Sequence, residues 1–389
     1  MAKKKKPSRS FFLKAGVTTV LLLGFLAVVI VLNTPRGDAV PTAASQLRFA
    51  RARVTAVLAE NASPDTWTES LRLGTQQVYV QLESGEHKGT QLYAVNYLNA
   101  YANIDLKVGT RIIVRLDYDE SGKLYVASIA NYARDGVLIG LMVIFAALMI
   151  GFGGKKGVAS LAGLLFTVVS IWFFLIPLMQ RGFPAILGAV ILVAITTAVS
   201  LVLLNGFTAK TLCAVIGCIG GVLVAGVTAA LAGEITPIGG FNMPESEEIV
   251  LRMGDSDLKI RGLLVSGILI SALGAVMDTS MSITSSVFEL HEMNPSVDRK
   301  RLFRSGINIG RDAMGTMSNT LILAFAGTSL NTLLLFRVFD YPYLQIFNSD
   351  MMTIEVIQGL AGSIGIVLTV PLVAALSAAM CGGKPVKKR

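Results

Sequence analysis

Apolar runs long enough to cross a bilayer recur along nearly the whole chain, at about 15–32, 137–153, 157–179, 183–204, 211–233, 262–287, 307–336 and 356–380. A hydrocarbon core of about 30 Å takes about 17–25 helical residues to span, and backbone embedded in lipid must satisfy its hydrogen bonds internally. Eight crossings are therefore the simplest count. The second run is short enough that its helix is expected to begin before Arg134, and the seventh is long enough to tilt or break near Gly327. With 53% hydrophobic and 15% charged residues in a chain of 389, a soluble protein is excluded.

The formal charge of +9 raises nucleic acid as a partner, but the basic residues cluster at the ends of apolar runs, where the positive-inside rule accounts for them better. With the amino terminus inside, the inner segments hold Lys3 to Lys6, Arg9, Lys155, Lys156, Lys210, Arg299 to Arg301, Arg304, Lys384, Lys387, Lys388 and Arg389. The short outer loops hold only Arg181, Arg252, Lys259, Arg261 and Arg337. Both termini are thus expected in the cytoplasm, as an even number of crossings also requires. The first run, Gly16 to Leu32, reads as an uncleaved anchor rather than a signal peptide, because it exceeds the usual apolar length and no small-x-small cleavage site follows.

Either way the region after it is exported. Period-two alternation in Arg51 to Val57, Gln77 to Leu82, Gln91 to Val95, Arg111 to Tyr118 and Lys123 to Ile129 predicts five strands, with turns at Gly85 to Gly89 and Asp119 to Gly122. Five strands in about a hundred residues suggest a small antiparallel barrel of the OB-like kind. Such a barrel either binds a ligand or serves as a rigid cap, and strand packing alone accounts for Tyr79, Tyr93 and Tyr118.

Chemistry is most visible in the last three runs. Asp278 stands inside the run that begins at Gly262, and Asp312 a few residues inside the next. An ionised group near the bilayer centre costs roughly 2.5–3.5 kcal/mol, so two aspartates and Arg311 facing lipid would cost about 8–10 kcal/mol. That approaches the stability of a whole domain, about 5–15 kcal/mol. Ser271, Gly274, Asp278, Ser282 and Ser285 share one helix face, as do Asn308, Asp312, Gly315, Thr316 and Asn319, and again Glu355, Gln358, Gly362, Gly365 and Thr369.

Counted from the ends of the apolar runs, Asp278 and Asp312 lie roughly 15 Å and 9 Å from the inner boundary, so a shared cavity is expected there. Desolvation disfavours a charged carboxylate in such a place, which suits it to carry a proton. The plainer reading is helix packing, since small residues and hydroxyls are frequent between membrane helices. Arg311 is expected to snorkel to the headgroups, and Glu355, near the outer end, to be solvated.

Gly217-x-x-x-Gly221 and Gly306-x-x-x-Gly310 match the small-residue contact pattern, and the second, beside Asn308, also suits an unwound segment lining an ion site. Pro371 is expected to kink the last helix. Gly151 to Gly157 holds lysines but lacks the Gly-Lys-Ser/Thr of a phosphate loop, and no hydrolase motif appears. His87 and His291 have no partner at metal-ligand spacing, and Cys213, Cys218 and Cys381 form no disulfide framework. No cofactor and no enzymatic activity are expected.

Gly274-Ala-Val-Met-Asp-Thr-Ser-Met-Ser-Ile-Thr-Ser-Ser286 and Gly310-Arg-Asp-Ala-Met-Gly-Thr-Met-Ser-Asn-Thr-Leu-Ile-Leu-Ala324 closely resemble the YibE/F-like bacterial membrane proteins. The resemblance extends to Glu83 to Gly89, Gly153 to Gly157 and Gly362 to Pro371. It implies a bacterial cytoplasmic-membrane protein with a small exported domain before the bundle, and no particular substrate or catalytic residue. Where the family has small apolar residues after the aspartate, this chain has Thr279 and Ser280, off the Asp278 face.

The expected fold is an α-helical polytopic membrane protein with a small all-β, OB-like extracytoplasmic domain between helices 1 and 2. Residues 1–36 form a basic segment and anchor, 37–133 the exported domain, 134–380 a seven-helix bundle and 381–389 a basic tail. The expected function is a secondary transporter or permease, with Asp278 and Asp312 as ion or proton sites and Asn308, Thr316, Asn319 and Ser282 as supporting ligands. Its partners would be the lipid bilayer and a small solute or ion. The alternative is a membrane scaffold or envelope assembly factor, bound to an envelope protein or to further copies of itself.

Overall fold

The structure, a computed structural model, describes residues 24–34, 48–66, 68–69, 71–118, 124–238, 243, 246, 249, 251 and 261–381. The basic amino-terminal segment, the Asp119 to Gly122 turn, the outer-loop residues Arg252 and Lys259, and the basic tail from residue 382 lie outside these. Packing divides the chain into a β unit, Pro35–Leu148, and a helical unit, Met1–Thr34 with Met149–Arg389.

The β unit is one antiparallel sheet of β1 (Arg48–Pro64), β2 (Arg72–Leu82), β3 (Gln91–Leu98), β4 (Arg111–Tyr118) and β5 (Leu124–Tyr132), in the order β3-β2-β1-β4-β5. Its central strand is longer than period-two alternation indicates, because register shifts between Val54 and Ala56 and between Val57 and Ala59 interrupt the pattern. Those irregularities let β1 pair with β4 through Arg48–Arg53 and with β2 from Ala52 onward, curling the sheet into a half-barrel. The inward positions Ala52, Val54, Val78, Val80, Leu82, Ile112 and Val114 are fully buried.

Two inward positions are polar, Gln76 on β2 and Asn96 on β3. Gln76 is buried, its Oε1 accepting from Leu106 N–H at 3.0 Å and from Asn96 Nδ2 at 3.0 Å, while its Nε2 donates to the Leu106 carbonyl at 3.2 Å. Asn96 donates in addition to the Ile104 carbonyl at 2.7 Å. The two amides thereby fasten the segment before β4 across the open end of the sheet. Arg72 pairs with Glu60 and with Asp105, the latter at 2.8 Å.

The helices of the chain are α1 (Gly24–Asn33), α2 (Asp135–Gln180), α3 (Ala185–Asn205), α4 (Ala209–Ile235), α5 (Arg261–Met293), α6 (Arg299–Thr328), α7 (Leu330–Val338), α8 (Tyr343–Phe347) and α9 (Asp350–Cys381). Among the described residues, α2, α3, α4, α5 and α9 are each long and apolar enough to cross a membrane. The pair α6 and α7, bent by 56°, makes a sixth if it is one span. The bend falls at Ser329, two residues beyond the expected break at Gly327.

At Gly154 in α2 the backbone leaves helical geometry, with φ 54° and ψ −132°. A Cβ on Gly157 would overlap the Met149 carbonyl, eight residues back, whereas a straight helix would separate those positions by about 12 Å. The chain therefore bends back sharply at the lysine-bearing glycine stretch. Further on, Ile171–Leu175 is π-helical just before Pro177, which lacks the N–H that would close the next turn. The end of α2 holds α1. Phe25 packs on Phe166 and Phe174, and Asn33 donates to the Phe173 carbonyl at 2.7 Å. Arg181 donates to the Val31 and Leu32 carbonyls, both at 2.8 Å, meeting helix-end acceptors that have no partner within the helix.

Helix α9 is the centre of the helical unit, packed on α4, α5 and α6. It runs unbroken through Pro371. Close approach is made by small residues, since without a hydrophobic drive between helices in lipid, association rests on packing and interhelical hydrogen bonds. A Cβ at Gly217 would meet Val373, and one at Gly221 would meet Thr369 and Val276. At Gly306 it would meet Ala374 and Val287, and at Gly310 Val370 and Ile283. The backbone at Gly306 and Gly310 stays helical, so these glycines serve contact and form no unwound segment.

Candidate functional site

The two aspartates lie on the hairpin of α5 and α6. Gly306 sits against Val287 and Gly310 against Ile283, one antiparallel register that brings Asp278 level with Gly315 and Asp312 level with Met281. At 1.5 Å per residue the carboxylates differ by only about 4.5 Å along the helix axes. Both helices run further toward their connection than the apolar runs do, to Met293 and from Arg299, so Asp278 and Asp312 lie roughly 22 Å and 20 Å from those ends.

The expected shared cavity of Asp278 and Asp312 is corrected. At about 100° per residue, Asp278 is about 140° around α5 from Ile283, and Asp312 about 160° around α6 from Gly310. Ile283, Val287, Gly306 and Gly310 take the contact between the helices, and the polar stripes turn away from it. Ser271, Gly274, Asp278 and Ser282 on α5, and Asn308, Asp312, Gly315, Thr316 and Asn319 on α6, are exposed on the single chain. Only the α9 stripe is inward, with Gly362, Gly365 and Thr369 buried. The α6 stripe lies on the side away from α9, because Gly306 and Gly310 face α9, while the α5 stripe turns away from α6.

Among the described residues, the side chains of Asp278, Asp312, Arg311, Asn308 and Asn319 have no hydrogen-bond or ion-pair partner. Thr316 donates to its own helix, at 3.0 Å to the Ala313 carbonyl, and the Ser282 carbonyl accepts from Ser286 Oγ at 2.9 Å. One residue passed over at the sequence level belongs to this face. Lys210, at the start of α4, reaches across to Ser285 Oγ, two turns from Asp278 on the same stripe. Its place beside an apolar run marked it as a loop charge, and nothing in its spacing pointed to α5.

Glu355 is a second correction. Its Oε2 is buried and without a hydrogen-bond partner, where solvation was expected. Among the described residues no group of three or more His, Cys, Asp or Glu is placed to hold a metal ion.

Compared with known proteins, residues 141–383 match the family described as YibE/F-like protein. No curated protein and no solved structure matches the chain. The matched stretch contains both aspartate-bearing helices, the reversal at Gly154 and the glycines that seat α9. More than half of the chain is covered, and this membrane protein belongs to the YibE/F-like family.

Proposed function

We propose that the protein is a secondary transporter or permease of the bacterial cytoplasmic membrane, with Asp278 and Asp312 carrying an ion or proton. The observation behind this reading is two carboxylates without hydrogen-bond or ion-pair partners, about 4.5 Å apart in level, on the two helices of one hairpin in a membrane-spanning unit. Ionisable groups in such segments face a water-filled path or another protein rather than lipid. Asn308, Thr316, Asn319 and Ser282, on the same stripes, supply neutral oxygens and amides along that path.

The reading includes eight crossings, both termini in the cytoplasm, a cytoplasmic basic segment and membrane anchor over residues 1–36, an OB-like exported domain over 37–133, a seven-helix bundle over 134–380 and a basic cytoplasmic tail over 381–389. It is supported by the reversal at Gly154 and by a strand order in which the two ends of the sheet, β3 and β5, come together. A scaffold or envelope assembly factor is the second reading, favoured by the outward turn of the α5 and α6 stripes, which a protein partner would cover.

Proton flux in proteoliposomes under an imposed potential, read with a pH-sensitive dye, tests the first reading. Flux above that of empty vesicles is expected, and its loss in the Asp278→Asn, Asp312→Asn double variant. Flux unchanged by the double substitution would remove the aspartates from the mechanism. A protein that passes no proton and co-purifies with a stoichiometric envelope partner would establish the scaffold.

A further inference from the structure

We infer that the exposed polar face of α6 is the contact surface for a second copy of this chain. The inference does not rest on transport, because a scaffold of the same fold would need the same cover.

Three observations carry it. The face is charged and unpartnered: Arg311, Asp312, Asn308 and Asn319 find no partner among the described residues, although α6 forms a candidate span with α7. Lipid offers these groups nothing.

The glycines of the hairpin also fall into two sets. Those turned toward α9, Gly306 and Gly310, would each drive a Cβ into a neighbour, whereas Gly315 on the α6 polar stripe has nothing within 4 Å. The first set is used by contacts within the chain. The second leaves the same closely approachable backbone open, of the kind on which membrane helices associate.

Finally, the charges are self-complementary. A two-fold axis along the membrane normal sets each residue level with itself in the second copy, and Arg311 and Asp312 are adjacent in sequence and hence nearly level. Each guanidinium thus meets the other copy's carboxylate at one depth. An isologous contact of this sort needs one patch that complements itself. A patch bearing a single sign of charge would repel its own copy, and this one bears both.

The experiment is disulfide cross-linking of the full-length chain in native membranes, in a background with Cys213, Cys218 and Cys381 replaced by alanine. Asn308→Cys, Gly315→Cys, Thr316→Cys and Asn319→Cys are expected to give a dimer on oxidation. Val227→Cys on α4 and Leu360→Cys on α9, exposed apolar positions on other faces, are expected to stay monomeric. Arg311→Asp should abolish the Thr316→Cys dimer, and adding Asp312→Arg should restore it, which a variant that merely misfolds would not do.

Monomers at all four positions, with Thr316→Cys and Asn319→Cys labelled by a membrane-impermeant maleimide, would overturn the inference in favour of a water-lined groove within one chain. A cross-link to a different protein at those positions would overturn it equally.

Discussion

At the scale of single residues, Gly221 and Gly267 show why a glycine in an apolar run carries no fixed meaning. A side chain at Gly221 would strike Thr369 and Val276, whereas at Gly267 it would meet nothing within 4 Å. Gly221→Val is expected to destabilise the bundle by about 1–3 kcal/mol through overpacking. Gly267→Ala should be neutral or stabilising by up to about 1 kcal/mol, since alanine favours the helix. Thermal unfolding in a single detergent compares them, and an equal loss in both would contradict the packing.

The same distinction marks what was readable at the site. Spacing shows that Asp278 shares a face with Ser282, and Asp312 with Asn308, but not which way either face turns. Gly306-x-x-x-Gly310 held the missing clue. Gly310 is about 160° from Asp312 on the same helix, so if the glycines seat α9 the aspartate must turn away from it. Lys210 was beyond such reasoning, because its contact with Ser285 depends on where α4 begins relative to α5.

At the scale of elements, β4 is legible to its ends because an uninterrupted inward series, Ile112, Val114 and Leu116, alternates with the less buried Arg111, Ile113, Arg115 and Asp117. β1 is not, since its bulges shift the phase of alternation halfway along. Hydrophobic patterning fails at the inward Gln76 and Asn96, and at Gln76 it fails because the segment it secures, around Leu106, is distant in sequence. Gln76→Leu would leave the Leu106 N–H and one Asn96 donor without their acceptor, a loss of about 1–3 kcal/mol for each buried group left unsatisfied. Hydrogen exchange on the full-length protein should show faster exchange at Leu106 and through β3, with the helical unit unchanged. Protection retained at Leu106 would mean the amide is not what holds that segment.

At the scale of the whole molecule, the decisive element is α2. Its 46 residues would measure about 69 Å as one straight helix, more than twice a hydrocarbon core of about 30 Å. The reversal at Gly154 resolves that excess, since two arms joined at the positive φ of Gly154 each approach the length of a single crossing. Lys155 and Lys156 follow the turn at once, and lysines are retained on the cytoplasmic side. By length and composition the described helices give five candidate spans, or six with the bent α6–α7 pair, and the proposed eight requires α2 to cross twice and α1 to belong to a further crossing. Lys155→Cys, in the cysteine-free background, should therefore react with an impermeant thiol reagent only in inside-out vesicles, and Gly182→Cys, at the far end of α2, only in right-side-out ones. Labelling of both from one side would make α2 a single bent span, reverse every helix after it relative to α1, and carry Asp278 and Asp312 to the opposite half of the membrane.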